Sequence, residues 1–359
     1  MFKLHSREYS KIIPFIKSQN ELSVFAVIHN IMPGEVYVNS LEKPTAVLIQ
    51  TSECNLVAGD ITDAEFNSRI VEELDFWDQL TPDTPEWSDI IPSIHKNPYI
   101  RKYKRCRYIL TRDIFKECTV VLKEGFVLEK VDVNVMKKSG YENAEKLLKW
   151  VEEWGSIQNF EKYGTGYYIH KDNVIVSWSV SDCSFEKVIA IGINTDERYR
   201  KNGLAKMVVS ATIKDCFAKG YEKIEWLCVA TNKGSRVLAE TLGFQFKNEY
   251  YSYTSYPPVE NLYDLTEAEW CEWGMYLEEA SKSQNELWVE CLTCYLKSNN
   301  IKKTIAFLTA MEQKGAQIDY NRTKEFIYYL QANGLGANFN SQEWSNFFEN
   351  LYLENEFEK

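Results

Sequence analysis

One stretch constrains this chain more than any other. From Val188 to Phe244 the apolar pattern reads as strand, turn, glycine-bearing loop, long helix, second strand and short helix. Inside it, Arg200-Lys201-Asn202-Gly203-Leu204-Ala205 runs straight into the amphipathic segment Gly203 to Lys219, with Leu204, Met207, Val208, Ala211 and Ile213 expected inward. The first N–H groups of a helix lack intrahelical partners and carry the positive end of its dipole. A glycine there lets the backbone approach an anion without a Cβ in the way, so the loop is suited to a pyrophosphate.

A strand at Lys223 to Val229, then Asn232-x-x-Ser235, a short helix and Leu242-Gly243-Phe244 complete the pattern. The combination resembles the GCN5-related N-acetyltransferase (GNAT) family over Gly166 to Tyr253, through its R/Q-x-x-G-x-G/A loop and its N-x-x-(A/S) followed by G-F. More loosely, the run from the N-terminus to about Tyr256 resembles the two-part bacterial acetyltransferases related to zwittermicin A resistance proteins. The resemblance implies an α+β fold: a mixed, mostly antiparallel sheet flanked by helices, preceded by a divergent GNAT-like half and followed by an all-helical tail.

Length and composition bound the rest. A chain of 359 residues suits two or three domains. A formal charge of -11 argues against a nucleic-acid surface, which draws its affinity from clustered Lys and Arg. The charged N-terminal segment has no signal-peptide core, no apolar run reaches membrane-spanning length, and the scattered cysteines suit a reducing compartment, so a cytoplasmic location without membrane contact is expected. The pair Cys291-x-x-Cys294 lies in a helical pattern with no His nearby, which favours packing over metal binding; no metal is expected.

In chain order, Ser6 to Ile16 and Glu21 to Ile28 carry helical spacing. Strands are expected at 35–38, 45–49 and 55–59, a helix at 62–74, a Pro-rich loop over TPDTPEWSDIIP, and a strand at Tyr103 to Leu110. That order is acetyltransferase-like, yet no glycine loop follows Gly59-Asp60. The first part is therefore expected to be a cofactor-free partner (1–125) shaping one wall of the site. A crossover of short strands from Cys118 to Val135 and a helix from Tyr141 to Trp154 lead into the cofactor-binding half (126–258). Strands there are expected at 167–170, 174–180, 188–195, 223–229 and 244–253. The remainder (259–359) reads as four or five helices; Leu287 to Gln317 resembles a tetratricopeptide-type pair, with Ala306 and Ala310 at a helix crossing. It is taken as a docked cap, with protein contact through the tail as the alternative.

The resemblance assigns the site residue by residue. The strand carrying Ile193, Asn194 and Thr195 would part from the one at Ile224 to Cys228 and receive the pantetheine arm. A backbone N–H near Ile193 would polarise the thioester. Arg200, Lys201, Asn202, Gly203, Leu204 and Ala205 would hold the pyrophosphate, and Asn232 the pantetheine, with Ser235 one turn on. Two departures stand out. Ala190 occupies the strand position where relatives carry a catalytic Glu, and Ala239 the helix position of their tyrosine acid. The substitutes weighed are Asp182, Glu186, His170, Tyr250, Tyr251 and an ordered water, with Glu186 chosen as base and Tyr250 as acid. The expected activity is acetyl transfer from acetyl-CoA to a primary amine of a small polar molecule, an aminated antibiotic among the candidates. The rival reading is a weakly catalytic acyl-CoA-binding sensor or adaptor whose helical tail meets a partner; protein acetylation is a third.

Overall fold

The computed structural model describes residues 1–16, 21–117, 121–259 and 261–357. It divides into two compact units, Met1–Pro258 and Val259–Lys359.

The first unit is organised by one sheet of 12 strands. These are β1 (Phe2–Lys3), β2 (Glu35–Val38), β3 (Ala46–Gln50), β4 (Asn55–Gly59), β5 (Leu80–Pro82), β6 (Arg101–Thr111), β7 (Val127–Lys130), β8 (Gly166–Lys171), β9 (Val174–Phe185), β10 (Val188–Thr195), β11 (Lys223–Val229) and β12 (Gln245–Thr254). Their spatial order is β1-β2-β3-β4-β5-β12-β6-β11-β10-β9-β8-β7. The α-helices among the described residues of this unit are α1 (Leu22–Ile28), α2 (Ala64–Glu73), α3 (Val133–Ser139), α4 (Ala144–Glu152), α5 (Ile157–Tyr163), α6 (Leu204–Ala218) and α7 (Lys233–Thr241).

Strand β6 comes from the first half of the chain, yet it lies between β11 and β12 of the second, antiparallel to both. In turn β12 reaches β5 of the first half through Tyr253 and Leu80. Alternation along β6 explains its central place: Cys106, Tyr108 and Leu110 enter the core under α6, while Arg105 and Arg107 point to the opposite face. A second core, under α1, α3 and α4, covers that opposite face. Helix α4 turns Ala144, Leu147 and Val151 into it, three positions and then four apart, as one side of a helix requires.

Several expectations change. The Pro-rich run holds β5, which pairs parallel with β4 through Asn55 and Leu80, Leu56 and Thr81, and Val57 and Pro82. A strand this short, ended by a residue with no N–H, leaves no period to read. Ser6–Phe15 is a 3₁₀ helix containing Pro14 rather than a regular α-helix. Of the expected crossover, residues 118–120 lie outside the described residues; 121–135 supply β7 and the start of α3, capped by the Asp132 carboxylate, which accepts from the N–H groups of Asn134 and Val135. On α6, Val209, Ser210 and Thr212 are buried beside Leu204, Val208 and Ile213, whereas Met207 and Ala211 are half-buried.

The second unit contains α8 (Glu267–Ala280), α9 (Trp288–Lys297), α10 (Ile301–Gln313), α11 (Tyr320–Ala332) and α12 (Gln342–Phe357), around a core of its own. Cys291 and Cys294 are buried in it. The inward side of α10 is Ile301, Thr304, Phe307, Leu308 and Met311; Ala306 is exposed and Ala310 half-buried, so they do not form the expected crossing.

Because β6 joins β11 to β12, neither half has a complete sheet. Separating the halves would uncover Cys106, Tyr108 and Leu110 of β6, and at about 1.5–3 kcal/mol for each large side chain that approaches the net stability of a domain. Fragments 1–125 and 126–258 are each expected to lack a cooperative thermal transition when expressed alone, and to recover one on co-expression. Independent cooperative unfolding of 126–258 would show that β6 is not needed there.

Candidate active site

The site begins where two strands part. β10 and β11 pair in parallel through Val188 and Lys223, Ile189 and Ile224, and Ala190 and Glu225, and the register ends there. Beyond it β10 stays with β9, through Gly192 and Val180 up to Thr195 and Ser177, while β11 stays with β6 up to Val229 and Arg105. Each strand is held by its outer neighbour, which opens a wedge between the stretches 191–195 and 226–229. Ile193, Asn194 and Thr195 lie in the wedge and are half-buried. Their position is fixed from β9: the hydroxyls of Ser177 and Thr195 are 2.8 Å apart, and Ser177 Oγ donates to the Asn194 carbonyl at 3.2 Å.

The glycine loop follows directly. Asp196 accepts from the N–H and the guanidinium of Arg198, and Arg198 also reaches Glu142 at 2.6 Å, which anchors the turn. This pairing holds the Asp196 carboxyl well below its ordinary range. Lys201 and Gly203 have positive φ, 63° and 77°. Asn202 braces the loop by donating to the carbonyls of Tyr199 and Arg200, and Lys123 Nζ donates to Asn202 Oδ1 at 3.1 Å. Arg200 Nε donates to the Thr195 carbonyl at 3.3 Å. Gly203 is the N-cap of α6, no side chain caps that end, and the first turn contains no carboxylate. The opening N–H groups of a helix of 15 residues therefore face outward beside Leu204 and Ala205, as a pyrophosphate would require.

Asn232 and Ser235 are tied into the fold. Asn232 Oδ1 caps α7 by accepting the Ser235 N–H at 2.9 Å, and Ser235 Oγ accepts from the buried Trp226 indole at 2.9 Å. Together they seat α7 beside the far end of β11. Ala190 stands at the last rung before the wedge, and Ala239 is fully buried.

The wedge has one strongly charged face, the side to which Arg105, Arg107, Ala190, Glu225 and Tyr250 point. Arg105 Nη1 is 3.0 Å from Glu21 Oε1, and Tyr250 Oη donates to the same oxygen at 2.7 Å. Arg107 pairs with Glu225. Arg105 Nη2 lies 3.9 Å from Glu53, in the turn between β3 and β4. Asp182 occupies a bulge of β9, since Ala190 is opposite Cys183 and Ile191 opposite Ser181. Its carboxylate lies against Gly192 in the wedge, where an added Cβ would sit 2.8 Å from Oδ1. Glu153 follows α4. Burial, with Glu53 and Glu153 nearby, pushes the Asp182 carboxyl well up, and burial with Glu53 pushes Glu153 to about 7. Burial, Arg105 and Glu21 act on the Tyr250 hydroxyl, whose net shift is well upward.

Two expected participants lie elsewhere. Glu186 is exposed, with φ 52°, in the turn that joins β9 to β10. It sits at the closed end of the β10–β11 pairing, four residues from Ala190 and on the order of 13 Å along the strand, and is not brought to the wedge. His170 stacks on Tyr141 and lies 3.5 Å from Glu129, two strands from β10. Tyr250 does reach the charged face. Glu21, Glu53, Arg105, Glu153 and Glu225 were not singled out as site residues in sequence. The available signal was Arg105 and Arg107 alternating with apolar residues: a strand that places two arginines on a covered face must pair them.

The family model for GNAT acetyltransferase matches residues 13–253. The chain belongs to the GNAT acetyltransferase family. The "Uncharacterized N-acetyltransferase YdfB" of Bacillus subtilis (strain 168) is 27% identical over 239 residues, covering 65% of this chain and 89% of that protein. A GCN5-related N-acetyltransferase-like protein from Streptococcus suis 89/1591 has the same fold, with a TM-score of 0.56, 22% identity, and coverage of 69% of this chain and 98% of that one. The family model spans both halves of the sheet, so the GNAT fold here includes β6 in its central position. The protein is thus an acyl-CoA N-acyltransferase.

The acidic face of this GNAT sheet makes stability depend on pH. A carboxyl whose pKa is higher folded than unfolded holds its proton more tightly when folded. Its favourable contribution is present below the unfolded value and is lost as pH rises through the folded one. For Glu153 that window runs from the ordinary value of 4.5 to about 7. Glu153→Gln is expected to raise Tm relative to the native protein at pH 8 and to leave it nearly unchanged at pH 4.5. An equal Tm difference at both pH values would remove the burial assigned to Glu153.

Proposed function

We propose that the protein moves an acetyl group from acetyl-CoA to a primary amine of a small polar molecule. The observation that carries this reading is the wedge between β10 and β11, opening onto an uncapped helix N-terminus at one end and onto carboxylates at its charged face. Chain and ligand fit as follows. The loop Arg200 to Ala205 offers N–H groups and two cations to a pyrophosphate, and the separated edges of β10 and β11 offer backbone partners to an extended pantetheine arm. When bound, that cosubstrate supplies an activated acyl group as a thioester.

The residues of the wedge then divide the work. A backbone N–H of β10 near Ile193 donates to the thioester oxygen, where negative charge develops. An alkylammonium has a pKa near 10.4 and must lose a proton before it attacks. Asp182, lying against Gly192, takes that proton directly or through one water, the role first expected of Glu186. The amine nitrogen bonds to the acetyl carbon, the C–S bond breaks with the sulfur carrying away the electron pair, and the nitrogen sheds its second proton to solvent water to leave the neutral amide. Tyr250 stays protonated at neutral pH and is the proton source for that thiolate. Holding both reactants in one wedge supplies proximity as well.

Mass spectrometry of reactions with acetyl-CoA and a panel of amino sugars, polyamines and peptides tests the reading: a gain of one acetyl group on an amine is expected. Asp182→Asn is expected to lower kcat by about a hundred- to ten-thousand-fold. Tyr250→Phe should fall near the low end of that range, because a thiolate is a tolerable leaving group. Native rates in both folded variants would place proton transfer on other groups.

A further inference from the structure

Two of the charges on the wedge face are already matched. Arg105 is bound to Glu21 at 3.0 Å, and Arg107 to Glu225. Glu53, Glu153 and Asp182 remain, contributed by a turn of the first half, the residue after α4 and a bulge of β9, and near enough that Glu53 and Glu153 both raise the Asp182 carboxyl and Glu53 raises that of Glu153. Among the described residues, the cation paired with any of them is Arg105, 3.9 Å from Glu53; Asp182 and Glu153 have no ion pair. Each is half-buried, so each is open to a ligand while being only partly solvated. Like charges this close oppose one another's ionisation, and a cation between them would relieve that.

A separate observation points the same way. Glu225 is 2% exposed and stands on the rung with Ala190 where the wedge begins. One of its oxygens holds Arg107; the other, Oε2, has no hydrogen-bond partner among the described residues. Ala190 beside it contributes only a methyl group. Cys183, opposite Ala190 on β9, marks where these groups converge: burial pushes its thiol well up, and Glu53, Asp182 and Glu225 all add to the rise. A buried acceptor atom lacking a donor, near Asp182 and Glu153, which have no ion pair among the described residues, and Glu53, which shares Arg105 with Glu21, suits a ligand that brings both charge and N–H groups.

We infer that the acceptor is a diamine or polyamine, whose reacting amine lies at Asp182 against Gly192 while a second ammonium is held by Glu53 and Glu153. This rests on the transfer reading above and narrows it to a substrate class. A single ammonium would leave most of the recess uncompensated. A second one, a few methylenes away, brings three donors to carboxylates contributed by both halves of the chain. The first half, which lacks a glycine loop, thus acts in acceptor selection through Glu53.

The test compares butylamine with 1,4-diaminobutane and spermidine, using the full chain and acetyl-CoA, with isothermal titration of 1,4-diaminobutane alongside. The two diprotonated or triprotonated acceptors are expected to exceed butylamine in kcat/KM by about tenfold or more, as for a partly desolvated charge contact. Glu53→Gln and Glu153→Gln should each remove most of that advantage, mainly through the KM of the diamine. Glu65→Gln, on the exposed side of α2, makes the same change in net charge and is expected to leave the preference intact. Equal kcat/KM for butylamine and diaminobutane, or a preference that survives both variants, would overturn the inference while leaving amine acetylation standing. Diaminobutane binding that weakens in Glu53→Gln without acetylation of any amine would do the reverse: it would support the ligand class and overturn the transfer reading.

Discussion

Everything about this site depends on a pairing that stops. β10 and β11 share rungs up to Ala190 and Glu225 and no further, because past that point β9 and β6 hold them apart. A parallel pair in the middle of a sheet normally satisfies its backbone groups along its whole length. Here two segments of main chain are left facing one another across a wedge, and a ligand with an extended amide-bearing arm can complete them. The loop of Arg200 to Ala205 lies at the end of the same strand, so the wedge and the glycine loop are set by a single element.

The two halves are joined at the place where the wedge requires rigidity. β6, drawn from the first half, forms the outer wall of β11 and also carries Arg105 and Arg107. Arg105 then reaches Glu21, at the start of α1, and Glu53, in a turn of the first half. A buried ion pair such as Arg105 with Glu21 contributes little net stability, since desolvation offsets most of the attraction. What it does is fix geometry: Tyr250 donates to the same Glu21 oxygen, so β6, β12 and α1 are registered at one point.

Much of the second half was legible in sequence because its signals are local. The strands at Val188–Thr195 and Lys223–Val229 emerge with the bounds expected, since mostly apolar segments end at turn residues. The glycine loop was legible for the same reason. The charged face was not, because it is assembled across distance: Glu21 and Arg105 are 84 positions apart, and Tyr250 and Glu21 are 229 apart. The choice of Glu186 over Asp182 shows the limit. Both flank the same turn, and a one-residue bulge, invisible to periodicity, sends Asp182 into the wedge and leaves Glu186 at the hairpin tip. Likewise β5 has three residues, too few to show a period, although its pairing with β4 completes the first half.

The first half also contains a parallel pair, β4 with β5, but no glycine loop follows it. Among the described residues, the wedge between β10 and β11 is therefore the one place where parallel strands lead into an uncapped helix start of the required kind. Calorimetric titration with coenzyme A, on the native protein and on Gly203→Glu, measures this most directly. One coenzyme A per chain is expected for the native protein and no detectable binding for a folded Gly203→Glu, whose carboxylate would meet the pyrophosphate. Two bound per chain, or unchanged affinity in Gly203→Glu, would contradict the assignment of the wedge and its loop.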